Sequence, residues 1–135
     1  MTQRIVFTFV LAALTLTTLA CQGADQPVAK GKAGDLNVAL MGPGGQLKKG
    51  TNKLTLEFTD AAGKAVDVGS ASLGFHMPGM GTMAEMNDKA TLTTTGTAGK
   101  YSAVVDIEMA GTWEAQVKYE GPNGSGDARI PVQAK

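Results

Sequence analysis

From Asp35 onward, apolar and polar side chains alternate with a period of two, the pattern of strands that bury one face. Leu36, Val38 and Leu40 alternate with Asn37, Ala39 and Met41. Leu54, Leu56 and Phe58 alternate with Thr55, Glu57 and Thr59. Tyr101, Ala103, Val105, Ile107 and Met109 fall on one face of a long run, with Asp106 and Glu108 on the other. Trp113, Ala115, Val117 and Tyr119 form the next run, and Ala128, Ile130 and Val132 the last. Pro131 in that last run lacks an N–H, which predicts an edge strand. Val66–Phe75 and Ala90–Thr95 are weaker strand candidates.

Glycine-rich clusters punctuate the runs: Gly42-Pro43-Gly44-Gly45, Asp60-Ala61-Ala62-Gly63, Thr97-Ala98-Gly99 and Pro122-Asn123-Gly124-Ser125-Gly126. Glycine supplies the positive φ that tight turns need. No stretch of ten or more residues carries an apolar stripe at helical spacing. Short strands at regular intervals with such turns predict an all-β fold, an immunoglobulin-like antiparallel β-sandwich of about seven strands.

The start of the chain is different. Met1–Arg4 carries one positive charge, and Ile5–Ala20 then runs sixteen residues without any. A basic start, an apolar stretch and a small-residue exit form the layout of a secretory signal. The stretch is shorter than the roughly 20 residues a helix needs to cross a membrane. Its end, Thr17-Thr18-Leu19-Ala20-Cys21, resembles a bacterial lipoprotein signal, in which Cys21 becomes the lipidated first residue of the mature chain. That resemblance implies an exported protein held to the cell envelope, on the periplasmic or outer-surface side, by a lipid anchor in the membrane. The alternative is an ordinary cleaved signal and a secreted protein with a free Cys21. Residues 21–34, from Cys21 to Gly34, are small and polar, with almost no large apolar group, and so read as a flexible tether. The expected organisation is therefore a signal peptide over 1–20, a tether over 21–34 and one domain over 35–135.

Composition narrows the function. The chain has 135 residues, with 12 Lys+Arg against 12 Asp+Glu, so no excess of basic groups is available to neutralise phosphates and nucleic acid is not an expected partner. A single Cys excludes an internal disulfide framework and a cysteine zinc cluster, and a single His excludes a multi-histidine site within one chain. His76 would also have to serve as the base of any Ser-His-Asp triad with Ser70, Ser72 or Ser102, and no nucleophile elbow accompanies it. An enzyme is not expected.

The segment Phe75-His76-Met77-Pro78-Gly79-Met80-Gly81-Thr82-Met83-Ala84-Glu85-Met86 breaks the alternation. Four of the chain's seven Met fall at 77, 80, 83 and 86, with the one His beside the first. Pro78, Gly79 and Gly81 disfavour a helix here, so the three-residue spacing belongs to a turning loop. Thioether sulfur is a soft, uncharged donor that selects Cu(I), and it forms no disulfide outside the cytoplasm. His76, Met77, Met80, Met83 and Met86 are thus the candidate metal ligands. Methionine is also a flexible filler of apolar gaps and a common residue on adaptable binding surfaces, so packing or protein docking is the competing role.

Around this segment, the run Val68-Gly69-Ser70-Ala71-Ser72-Leu73-Gly74-Phe75-His76-Met77-Pro78-Gly79-Met80-Gly81 resembles the YtkA-like domain. Gly99-Lys100-Tyr101-Ser102-Ala103, Gly111-Thr112-Trp113-Glu114-Ala115 and the turn Asp60-Ala61-Ala62-Gly63-Lys64-Ala65-Val66 extend the resemblance across residues 35–133. It implies a small exported sandwich, often a lipoprotein, associated with copper handling. Carried over to this chain, the loop ligands are Met77 and Met80, with His76 as a local addition. The family often has His directly after Met-Gly, where this chain has Thr82, which leaves a donor set dominated by thioethers. The function these features imply is a Cu(I) carrier or buffer, with a copper-acceptor oxidase or an efflux protein as its partner. The alternative is a metal-free domain whose Met-rich loop docks on a membrane respiratory or efflux complex.

Overall fold

The computed structural model describes residues 24–135, so the signal segment and Cys21 lie outside the described residues. Those residues form nine strands and no helix: β1 (Asp25–Ala33), β2 (Leu36–Pro43), β3 (Gly50–Thr59), β4 (Ser70–Met77), β5 (Met86–Lys89), β6 (Thr91–Thr94), β7 (Lys100–Ile107), β8 (Gly111–Gly121) and β9 (Gly124–Ala134). One sheet has the order β1-β2-β3-β7-β6 and the other β5-β4-β8-β9, with every neighbouring pair antiparallel. Leaving β1 aside, this is the ABED and C′CFG arrangement of an immunoglobulin-type sandwich.

The alternation along the chain becomes the two inner faces. Leu54, Leu56 and Phe58 on β3 and Tyr101, Ala103, Val105 and Ile107 on β7 are buried against Leu73 and Phe75 on β4 and Trp113, Ala115 and Val117 on β8. Phe58 joins the layers through aromatic edges, with ring centroids 5.9 Å from Tyr101 and 5.6 Å from Tyr119. Such edge-to-face pairs add to the area they bury. Pro131 lies on β9, the edge strand of its sheet, as its missing N–H requires.

Three expectations are corrected. The tether ends early, because Asp25–Ala33 is strand β1, paired with β2 from Asp25↔Pro43 to Ala33↔Leu36 across a bulge at Val28. Its small residues serve close packing. A Cβ on Gly31 would lie 2.7 Å from Cγ1 of Ile130, and one on Gly126 would lie 2.9 Å from the Ala33 carbonyl carbon, so β1 crosses directly over β9. Ala33 is fully buried, while Val28 and Ala29 are half-buried against the core. The strand count is nine rather than about seven, β1 and β5 being the additions. Met109 is not an inward strand residue: β7 stops at Ile107, and Met109 sits on the turn into β8.

Candidate functional site

The Met-rich segment is a β-hairpin. β4 ends at Met77, and Pro78 has no N–H with which to continue the ladder. A Cβ on Gly79 would lie 2.9 Å from the Met83 carbonyl oxygen, so only glycine lets the returning limb pass so close. At the tip, the Met80 N–H donates to the Met83 carbonyl at 3.2 Å and the Met83 N–H donates to the Met80 carbonyl at 2.9 Å. Gly81, at φ +59°, occupies the first central position of the two-residue turn they enclose, where a type II′ turn places glycine. The chain then returns into β5, with Met77↔Met86 and His76↔Asn87 in register.

The three-residue spacing thus becomes two cross-strand pairs. Directly opposed residues in a hairpin share a face, with Cβ atoms roughly 5 Å apart. The outer pair is in solvent, with Met80 71% and Met83 43% exposed. The inner pair closes the end of the sandwich: Met77 is only 7% exposed, with its Cε 2.9 Å from where a Cβ of Gly111 would sit, and Met86 is half-buried against the core. A fifth thioether, Met109, lies at the same end on the β7–β8 turn, 36% exposed. Its carbonyl accepts the Trp113 indole N–H at 2.9 Å, and the neighbouring Glu108 N–H donates to Asp88 of β5 at 3.5 Å, which ties the turn to the hairpin. Sequence reasoning missed Met109 because period-two alternation carried it into the strand.

His76 is separated from this group. Phe75 and Met77 point into the core, so His76 between them faces the outer surface of its sheet, between Asn87 on β5 and Glu114 on β8. Adjacent positions on a strand cannot serve as two ligands of one ion without rearrangement of β4, and His76 and Met77 are not brought together here. The His76 Nδ1 lies 2.8 Å from the Asn87 side-chain oxygen. That oxygen can only accept, so Nδ1 is the donor in this hydrogen bond. His76 instead lines a shallow outer cleft with Pro78, Thr112, Glu114 and Arg129. Among the described residues, no three His, Cys, Asp or Glu side chains gather to hold a metal ion. The donors concentrated at this end are sulfurs.

The family model of the YtkA-like domain matches residues 30–118, which takes in the end of β1 from Lys30 to Ala33 and the whole hairpin and stops within β8. No curated protein and no solved structure matches the chain. With about two thirds of its length covered by that model, this chain belongs to the YtkA-like family.

Proposed function

We propose that the protein is an exported, lipid-anchored Cu(I) carrier or buffer, not an enzyme, and that the methionine hairpin is its binding element. The observation that carries this reading is the reciprocal Met80–Met83 backbone pair, which sets two solvent-facing thioethers on opposed positions at the tip. Met77 and Met86 stand behind them as a second pair. Neutral sulfur donors favour a soft monovalent ion over hard cations and bind without losing a proton, so affinity should survive mildly acidic conditions. His76 joins this donor set only if β4 rearranges, so the reading gives Met80 and Met83 the leading role. The cargo would pass to a copper-acceptor oxidase or an efflux protein at the membrane.

Anaerobic titration of the mature chain with Cu(I) against a chromophoric chelator tests this, with Zn(II) and Cu(II) as controls. One equivalent of Cu(I) should be withheld from the chelator, and Met80→Leu with Met83→Leu should release it. Failure to compete for Cu(I) overturns the reading. The exposure of Met80 favours the second role, docking on a membrane complex, in that event. Met→Leu changes would then preserve partner binding and Met→Ser changes would abolish it.

A further inference from the structure

We propose that the lipid anchor holds the methionine end of the sandwich against the membrane surface, so that Met80, Met83 and Met109 rest at the headgroups of the leaflet that carries it. This rests on the lipidation of Cys21 in the reading above, and it concerns geometry that a carrier role alone does not specify.

The first observation is the direction of β1. The ladders place Asp25 and Pro43, Gly50 and Ile107, Gly111 and Ala134 towards one end of the sandwich, and the Met77–Met86 hairpin projects from that same end. β1 then runs away from it to Ala33, so the chain leading back to Cys21 leaves the fold at the methionine end.

The second is length. Residues 22–24 alone separate Cys21 from β1, and four residue steps span at most about 14 Å. A free segment through residue 34 would have reached about 50 Å and let the domain tumble. β8 and β9 are each 11 residues long, roughly 35 Å of strand. The leash is therefore too short to let the domain invert and bring its opposite end to the bilayer.

The third is where the surface is apolar. Among the described residues the exposed large hydrophobic side chains are Met80, Met83, Met109 and Val104. Val104 pairs with Lys53, near the level of Pro43, so all four lie in the half nearest the anchor. Methionine enters an interface readily because its unbranched chain adapts to irregular surroundings. Lys48, Lys49, Lys53 and Lys135 share this end with Asp25, Glu85, Asp88, Asp106 and Glu108, a near balance with no basic excess, so net charge contributes little and the contact should be insensitive to salt. In this orientation the thioethers face membrane proteins whose metal sites stand close to the bilayer, and acceptors that stay in solution are disfavoured.

The test uses the full acylated chain, reconstituted in phosphatidylethanolamine and phosphatidylglycerol vesicles containing a nitroxide-headgroup lipid. A fluorophore is placed on Thr82→Cys at the hairpin tip, or on Ala62→Cys in the turn at the opposite end. Ala84→Cys repeats the measurement from the returning limb. Quenching should be several-fold stronger at 82 and 84 than at 62, and unchanged by added salt. Equal quenching, or stronger quenching at 62, overturns the orientation. Intact mass identifies which premise failed: a chain without acyl groups overturns the proposal through the anchor, whereas an acylated chain with equal quenching overturns the orientation alone. Cu(I) affinity is measured separately, and neither outcome depends on it.

Discussion

Met77→Ala should unfold the domain early, whereas Met80→Ala should leave its stability almost untouched, although the two residues are equivalent by spacing. Met77 is buried, with its methyl group against the backbone of Gly111, where no side chain is present to fill a gap. Truncating a buried Met to Ala costs about 2–5 kcal/mol, from lost apolar transfer and the cavity left behind. The described domain runs over 112 residues (135 − 24 + 1), so its unfolding entropy makes 1 kcal/mol equal to about 4 °C in Tm. The expected fall is about 8–20 °C. Met80 is mostly in solvent, and an exposed substitution typically moves stability by no more than about 0.5 kcal/mol, roughly 2 °C. Met77→Leu, which keeps volume, should cost less than about 1.5 kcal/mol. Thermal melts of metal-free protein, followed by near-ultraviolet circular dichroism of buried Trp113, read all three. Equal melting temperatures for Met77→Ala and Met80→Ala would refute the division into an inner and an outer pair. The same numbers dictate Leu as the substitution for copper measurements at Met77, since Ala would confound ligand loss with unfolding.

Removing residues 22–33 should lower stability by roughly 2 kcal/mol in urea titrations and promote association through the freed edge of β2, because it strips Ala33, Val28 and Ala29 from the core; a dispensable tether would leave both unchanged. Asn52→Ala should cost about 1–3 kcal/mol in the same assay, since the buried Asn52 side chain accepts the Lys48 N–H at 2.9 Å and donates to the Lys48 and Gly50 carbonyls at 2.7 and 2.8 Å. Burial, then the nearby Asp67 carboxylate, raises the Tyr101 pKa above its ordinary 10.0. Its contribution to stability is therefore complete below pH 10 and lost as pH rises through the folded-state value, because the unfolded chain gives up the proton first. Tyr101→Phe should melt lower at neutral pH, having lost the hydrogen bond to the Gly69 carbonyl, yet decline less steeply in alkali. Parallel alkaline slopes in the two proteins would argue against this assignment.

The fold class was legible in the sequence because alternation is a local property: a strand with one buried face must place an apolar side chain at every second residue, whatever it packs against. The runs around Leu54, Tyr101, Trp113 and Ile130 are strands β3, β7, β8 and β9, and their glycine-rich separators are turns. The concentration of thioethers was equally visible, since composition within ten residues does not depend on folding. The tertiary structure decided the rest through contacts far apart in the chain. β1 has the composition of a linker because it must lie close over β9, with Gly31 against Ile130, and a requirement for small residues looks the same in sequence as freedom from structure. His76 and Met77 are neighbours in the chain and face opposite sides of β4, because the pleat outranks adjacency. Met77, Met80, Met83 and Met86 became an inner and an outer pair only once the turn at Gly81 and Thr82 set the register, and Met109 joined their end only because β7 and β8 turn back there. Local patterning determined which residues form strands and carry soft donors. Register and sheet packing determined which of those donors meet.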